Sequence, residues 1–523
     1  MTATPDAVTH RRPDQPLLDR LVGRVVSSTG RTADTSAPFT GARLAAVPES
    51  DPADVTTAFE RARAAQREWA ATPPRRRAEV LLRFHDLVLD QQDRLLDLIQ
   101  WESGKARKHA FEEIADVAIT ARYYARRGPG FLRPRRRAGA LPGLTKTHEL
   151  HHPKGVVGVI SPWNYPFSLA VGDALAAVMA GNAVVHKPDS QTPLIALAGV
   201  QLFVDAGLPE GLWQVVYGPG PLIGGAVIDE ADYVCFTGST ATGRTVAAQA
   251  GRRLVGCSLE LGGKNPMLVF DDADLDKAAE CAVRACFSSA GQLCISIERM
   301  YVADRVREEF LARFLDRVRA MRLSAGFDFD TDMGSLVSAT QLATVTEHVD
   351  DAVGKGATVL AGGKGRPDVG PYFFEPTVLT DVTDAMTLFA DETFGPVVSV
   401  YGFGSEAEAV ELANATSYGL NASVWTGDAD RGARVASRIR AGTVNVNEGY
   451  GAAWGSVDSP MGGMGDSGVG RRHGREGILR FTESQTVAVQ RLQGLGTPKG
   501  FTDERWAKAL GSSLRLLKKV GWR

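Results

Sequence analysis

From residue 155 onward, this 523-residue chain alternates short β-branched runs with Ala- and Leu-rich stretches of helical spacing, and few folds accept that pattern. The runs are Val156 to Ile160, Ala183 to His186, Gln214 to Tyr217, Tyr233 to Phe236 and Ser258 to Leu261. Strands separated by helix-length connections pair in parallel, and strands covered on both faces read as continuous apolar runs. The expectation is an α/β chain with a Rossmann-like parallel sheet. A second series follows, with strands at Met267 to Phe270, Met300 to Val302, Val397 to Tyr401 and Thr443 to Val446, and helices from Asp274 through about Phe287 and from Val306 to Arg319. Upstream, Val55 to Ala71 and Arg75 to Glu102 place apolar residues three and four apart, as helices covering a sheet would. The length exceeds what one core serves, so a first unit ending near residue 260 and a second beginning at 261 are expected.

Composition narrows the partners. With 59 basic and 61 acidic residues the formal net charge is -2, which gives no global field for nucleic acid or an anionic membrane. No run of eighteen apolar residues occurs, so no integral membrane contact is expected. The five cysteines, at 235, 257, 281, 286 and 294, show no metal-ligand spacing. Their odd number, with a polar first thirty residues, predicts reduced thiols in the cytoplasm and a frayed N-terminus. Asp328, Asp330 and Asp332 mimic the start of a calcium loop, but Met333 replaces the turn glycine and Ala339 the bidentate glutamate, so no metal is expected. Arg133 to Arg137 followed by Thr145 to Leu150 reads as a basic turn entering a β-hairpin, or as a solvated loop. In the tail, Trp506, Leu510, Leu514 and Leu517 lie at the spacing of an amphipathic helix.

Two segments supply reactive groups. Glu260-Leu261-Gly262-Gly263-Lys264 closes the fifth run, and Gly291-Gln292-Leu293-Cys294 follows the helix that ends near Phe287. A thiol attacks a carbonyl to give a covalent intermediate, and a nearby carboxylate draws a proton from the water that later breaks it down. Each has a plain structural reading too, as a small buried hydrophobe and as a turn-capping carboxylate. Position favours nucleophile and general base, while the other four cysteines sit in apolar texture and read as core. Asn164, within Ser161-Pro162-Trp163-Asn164-Tyr165-Pro166, suits an oxyanion donor or simply an Asn in a Pro-flanked turn. Phe236-Thr237-Gly238-Ser239 runs from a strand into a helix whose N-terminus is open to phosphate, without the Lys-Ser/Thr of a P-loop after Gly243. Lys187-Pro188-Asp189-Ser190 closes another strand, where Lys187 suits a ribose or phosphate, or stands as a surface lysine.

Taken together and in this order, Pro162-Trp163-Asn164, Lys187-Pro188, Phe236 to Ser239, Glu260 to Lys264, Gly291 to Cys294 and Glu392-Thr393-Phe394-Gly395-Pro396 resemble the aldehyde dehydrogenase superfamily, over about residues 20 to 492. Within it, the chain is most similar to the succinate-semialdehyde dehydrogenase group of actinobacterial NADP type. The resemblance implies NAD(P)-dependent oxidation of a small-molecule aldehyde to a carboxylic acid through a cysteine thiohemiacetal and thioester. Cys294 would be the nucleophile, Glu260 the general base, Asn164 an oxyanion donor with the Cys294 backbone N–H, and Glu392 a ligand of the nicotinamide ribose. Trp163, Asn164, Lys187, Ser190, Gly220, Gly224, Gly238, Ser239, Leu261 and Phe394 would line the dinucleotide site. Residues 1–134 and 155–260 would form the cofactor-binding domain and 261–480 the catalytic domain. Strands in 135–154 and 481–492 would make a homodimer or homotetramer, and the 493–523 amphipathic extension, which the resemblance does not explain, is expected to dock on that oligomer.

Departures from the family pattern bear on cofactor and substrate. Relatives that use NAD often carry glutamate three residues after the lysine matching Lys187, where it repels a 2'-phosphate; here Ser190 leaves room, so NADP is expected, with NAD also accepted. Relatives acting on succinate semialdehyde clamp its carboxylate with arginines at the positions of Gly172 and Ser288, leaving Ser456 as the remaining counterpart. The alternative is a roomier apolar entrance built by Tyr165, Trp454 and Met461 for longer aliphatic or aromatic aldehydes, with succinate semialdehyde secondary. Ser296 stands where some relatives have a second cysteine, which removes a local disulfide. An inactive binding relative is opposed by the presence of both Cys294 and Glu260, and Glu260 also opposes the coenzyme-A-acylating branch.

Overall fold

The computed structural model describes residues 11–139, 145–491, 494 and 496–522. Residues 1–10 of the N-terminus expected to be frayed, 140–144 of the expected 135–154 element, Leu492, and 493, 495 and 523 of the expected extension fall outside the described residues.

Five of the expected runs form one parallel sheet, in the order Gly256–Glu260, Tyr233–Thr237, Val156–Ile160, Ala183–Lys187, Trp213–Val215. The chain builds outward from Val156–Ile160 first to one side and then to the other. The crevice beside that strand's carboxyl end is therefore the topological switch point of the sheet. A sixth strand, Gly468–Val469, pairs antiparallel with Gly256–Glu260, so chain from beyond residue 460 returns to this first sheet. The second series forms a seven-stranded sheet, in the order Thr358–Ala361, Thr377–Thr380, Val397–Phe403, Ile297–Ala303, Asn265–Val269, Asn421–Trp425, Thr443–Val446. All its pairings are parallel except that of the edge strand Thr358–Ala361. The strand Thr145–Pro153 pairs antiparallel with both Arg135–Arg137 and Thr482–Gln490, and this makes a separate three-stranded ribbon.

Helix Pro166–Ala180 is apolar nearly all round and packs between the first sheet and helix Arg107–Phe131. It lacks a side-chain cap of its own, and its buried first turn cannot reach water. Glu113, from Arg107–Phe131, accepts from the N–H groups of Phe167 at 2.8 Å and Ser168 at 3.1 Å instead. Helix Pro193–Asp205 is served in the same way, with Glu102 accepting from Leu194 and Ile195, each at 2.7 Å.

The expected helix from Arg75 to Glu102 is two helices, Pro74–Asp90 and Gln92–Ser103, broken at Gln91. One straight helix of that length would run about 40 Å, past the core its apolar residues must reach. The tail forms the expected helix, Asp503–Lys519, capped by Thr502. Its apolar side reaches solvent, with Leu514 51% and Leu516 61% exposed. Asp328 closes its own turn by accepting from the N–H groups of Asp330 and Thr331, and Asp332 pairs with Lys108 at 2.6 Å. Among the described residues no helix is long and apolar enough to cross a membrane, and no cluster of side chains that could hold a metal ion occurs.

Glu102→Ala strands two buried N–H donors at a cost of about 1–3 kcal/mol each. A clear fall in apparent melting temperature is expected by differential scanning fluorimetry, and an unchanged melt would refute this capping role.

Candidate active site

The motifs of the first sheet converge because each sits at a carboxyl end. Asn164 follows Val156–Ile160, Lys187 ends Ala183–Lys187, Gly238 and Ser239 follow Tyr233–Thr237, and Glu260 ends Gly256–Glu260. Cys294 arrives from the other side, on the loop before strand Ile297–Ala303 of the second sheet. That loop begins with a left-handed turn through Ser289, Ala290 and Gly291, at φ 53°, 55° and 70°. Gly291 is required there, since a Cβ would lie 2.0 Å from the Gly395 carbonyl oxygen.

Buried amides hold the thiol's backbone. The Gln292 side chain donates to Ser289 O at 3.0 Å and accepts from Val337 N–H at 2.9 Å, while its own carbonyl accepts from the Asn164 amide at 3.0 Å. The Asn265 amide donates to Cys294 O at 2.8 Å and to Ser296 O at 2.7 Å. Cys294 and Glu260 then line one cleft with Asn164, Tyr165, Trp454 and Met461. Asn164 uses one of its two amide hydrogens on Gln292, which leaves a second donor at this wall.

Burial governs the titration of the pair. It pushes the Cys294 thiol up to about 12, helped by the negative charges of Glu392 and Glu260 and opposed by Arg472. It also pushes the Glu260 carboxyl up to about 7 against the pull of Arg472 and Arg480. Glu260 Oε1 has no hydrogen-bond partner among the described residues and lies against Gly462, where a Cβ would come within 3.2 Å of it. The arrangement therefore places a protonated thiol and a carboxyl that changes charge near neutrality in one cleft.

A buried network behind this wall carries no motif. Lys105 pairs with Glu113 at 2.7 Å with both side chains fully buried, donates to Asn164 O at 2.6 Å, and sits 3.8 Å above the Tyr165 ring. Tyr165 and Tyr450 both donate to Glu112, each at 2.9 Å, and Ser288 is hydrogen-bonded to Tyr450 at 2.8 Å. Lys105, Glu112 and Glu113 read in sequence as ordinary helical residues; only the packing of Arg107–Phe131 on Pro166–Ala180 brings them to the site.

Most of the residues expected at a dinucleotide lie at or just after the carboxyl ends of the first sheet's strands. Lys187 is buried, and its ammonium has no hydrogen-bond partner among the described residues; burial lowers it, with Asp189 opposing. Ser190 is exposed beside it and donates weakly to Gly218 O at 3.4 Å. Gly220 and Gly224 bound a short π-helical turn. Ser239 caps helix Thr240–Arg252, whose first turn holds no acidic side chain and so stays open to an anion. Gly243 lets that helix close on Leu261, since a Cβ there would lie 2.4 Å from Leu261 Cδ2. Glu392 accepts from Gly263 N–H at 2.8 Å, and Phe394 meets Trp163 edge to face at 5.4 Å. An unpaired buried ammonium, an open helix N-terminus and a small residue where a larger one would intrude fit a phosphorylated dinucleotide.

The substrate end differs from expectation at Ser456. It is exposed outside the cleft and its hydroxyl donates to Ala452 O at 2.7 Å, because the short helix Gly451–Trp454 turns it away while presenting Trp454. Arg472 and Arg480, which sequence reasoning missed, line the cleft instead, and both bond Asp173. The basic run Gly470-Arg471-Arg472-His473-Gly474 in a glycine-rich stretch was the available signal for Arg472, while Arg480, just after helix Gly474–Leu479, carried none.

Three comparisons bear on this geometry. The sequence model of the Aldehyde dehydrogenase family matches residues 25–487. A protein of Mycolicibacterium smegmatis named "Putative succinate-semialdehyde dehydrogenase [NADP(+)]" is 57% identical over 482 residues, 92% of this chain and 93% of its own. Among solved structures, a betaine aldehyde dehydrogenase of Staphylococcus aureus in complex with NAD+ superposes with TM-score 0.88 at 30% identity, over 95% of this chain and 99% of that one. An Escherichia coli NADP dependent enzyme superposes with TM-score 0.86 at 33% identity, over 89% and 96%.

With its thiol raised to about 12, Cys294 should react with iodoacetamide at pH 8 at least about tenfold more slowly than free cysteine. Glu392→Gln, which removes the first of the opposing charges, should speed the labelling. Labelling as fast as that of free cysteine would contradict the burial argument.

Proposed function

The chain belongs to the aldehyde dehydrogenase family, and from that membership we propose that it oxidises succinate semialdehyde to succinate with NADP, through an acyl-cysteine on Cys294. The observation that carries the reading is the shared cleft of Cys294 and Glu260 at the switch point of the first sheet, next to an unpaired Lys187 and a small Ser190. The bound dinucleotide supplies the hydride acceptor. Lys187, Ser190 and the N-terminus of Thr240–Arg252 would hold its adenosine phosphate and pyrophosphate, and Glu392 its nicotinamide ribose.

The protein's own groups account for the remaining chemistry. The thiol proton must leave before attack, and Glu260 is the group in the cleft whose charge changes near neutrality. Attack forms a thiohemiacetal whose oxygen lies toward the Asn164 amide and the Cys294 N–H, and donors of this kind are worth about 3–4 kcal/mol each. Loss of hydride leaves a thioester. Glu260, as carboxylate, takes a proton from the attacking water, the C–S bond breaks, and acid and thiol are released. Inference from the exposed outer strand Thr482–Gln490 and the apolar tail helix adds a homodimer or homotetramer, working in the cytoplasm.

Aldehyde-dependent NADPH absorbance should disappear in Cys294→Ala; a rate that survived would sink the mechanism. Catalytic efficiency should favour NADP over NAD, and Ser190→Glu should cut the NADP value about 10- to 100-fold by placing a carboxylate against the 2'-phosphate. Equal use of both cofactors by the wild type would refute that assignment. Because the base must be ionised, kcat should fall with decreasing pH through about 7. Glu260→Gln should lose turnover, and a wild-type profile flat from pH 6 to 8 (roughly a unit either side of the carboxyl) would exclude Glu260 as the rate-controlling base.

A further inference from the structure

Helix Pro166–Ala180 is open at Gly172. A Cβ built there meets nothing within 4 Å except Arg472 Nη2, at 3.9 Å. The space in which an arginine at 172 would project is therefore already reached by another guanidinium, one that arrives from the carboxyl-terminal stretch. Ser288, the second position from which the family pattern would supply an arginine, is tied to Tyr450 and cannot substitute.

Arg472 is firmly aimed. Its backbone pairs with Met461 in both directions, at 2.9 Å and 2.6 Å, and Met461 itself lines the cleft. Its Nε donates to Asp173 Oδ1 at 3.0 Å, one turn-face from Gly172 on the same helix. Its only side-chain hydrogen bond among the described residues is this one from Nε, and it lines the cleft; Arg480 lines it too, but its unpartnered Nε and Nη1 are buried. Arg480 shares the same Asp173 oxygen, so Asp173 alone does not satisfy both guanidinium groups. Arg472, Cys294 and Glu260 line the same cleft, which places the guanidinium and the thiol around one substrate space.

We propose that Arg472 binds the substrate's distal carboxylate through its free Nη groups, taking from the carboxyl-terminal stretch the task that Gly172 and Ser288 do not perform. This rests on the succinate-semialdehyde reading given above. An anchored fork with one edge fixed on Asp173 and the other edge free matches a carboxylate bidentately, and the reaction's aldehyde would lie at the opposite end, at Cys294.

The test compares succinate semialdehyde with methyl 4-oxobutanoate, which has the same carbon chain and no charge, by kcat and KM with NADP. In Arg472→Gln the ratio of the two efficiencies should fall about 10- to 100-fold, mainly through KM for the charged aldehyde. Arg472→Lys, which keeps charge without the fork, should fall between. The double variant Arg472→Ala with Gly172→Arg returns a guanidinium to the same space from the helix and should recover most of the ratio. It also serves if the single variants fold poorly. Wild-type enzyme with no preference for the charged substrate would overturn the substrate reading itself. A wild-type preference that Arg472→Gln leaves intact, or an equal loss on both substrates, would overturn the role of Arg472.

Discussion

One hydrogen bond, from the Asn164 amide to the Gln292 carbonyl at 3.0 Å, ties the loop after the first strand of one sheet to the loop that carries Cys294 beside the other. The Asn164 loop stands on one side of this link and the Cys294 loop on the other. It holds because its own ends are fixed: Lys105 donates to the Asn164 carbonyl, and Gln292 is bound on both sides of its side-chain amide. Lys105 is in turn neutralised by Glu113, which also satisfies the first turn of Pro166–Ala180. Removing one partner of so deeply buried a pair costs about 3–5 kcal/mol, so the helix start, the Asn164 loop and the thiol loop stand or fall together.

Desolvation then determines how the site can work. A thiol raised to about 12 is inert until a base and an electrophile meet it, and this protects a cysteine that must survive between turnovers. The same burial brings Glu260 to about 7, where it can serve as base without being permanently charged. Left to burial alone it would go higher; Arg472 and Arg480 restrain it. The arginines thus matter to the base even before any substrate enters.

The first sheet was legible because strands covered on both faces must be continuous apolar runs, and Val156–Ile160 or Ala183–Lys187 could be little else. Short motifs at strand ends were legible for a related reason: a parallel sheet gathers its carboxyl ends, so Asn164, Lys187, Gly238 and Glu260 had to converge. The break at Gln91 was not legible, since the residues on either side favour helix and only the path around the core demands a bend. Lys105, Glu112 and Glu113 were hidden because a helical charge looks solvated until a neighbouring helix covers it. Ser456 is turned outward for a local reason, the short helix Gly451–Trp454 just before it, which the sequence does not announce.

Gly172 and Arg472 show why reading substrate preference position by position can mislead. A carboxylate is recognised by where a guanidinium fork ends, and an arginine side chain is long enough to reach one point from more than one backbone position. In this chain the glycine on the helix and the arginine 300 residues later meet, since Arg472 Nη2 is the one atom within 4 Å of where a Cβ at 172 would stand, at 3.9 Å. Asp173, the next residue on the helix, fixes the incoming group at Nε and spends none of its outer donors. An absent arginine in the sequence is therefore compatible with a present guanidinium in the cleft. What distinguishes a site for a charged aldehyde from an apolar tunnel is the pairing of Gly172 with Arg472, taken as one unit.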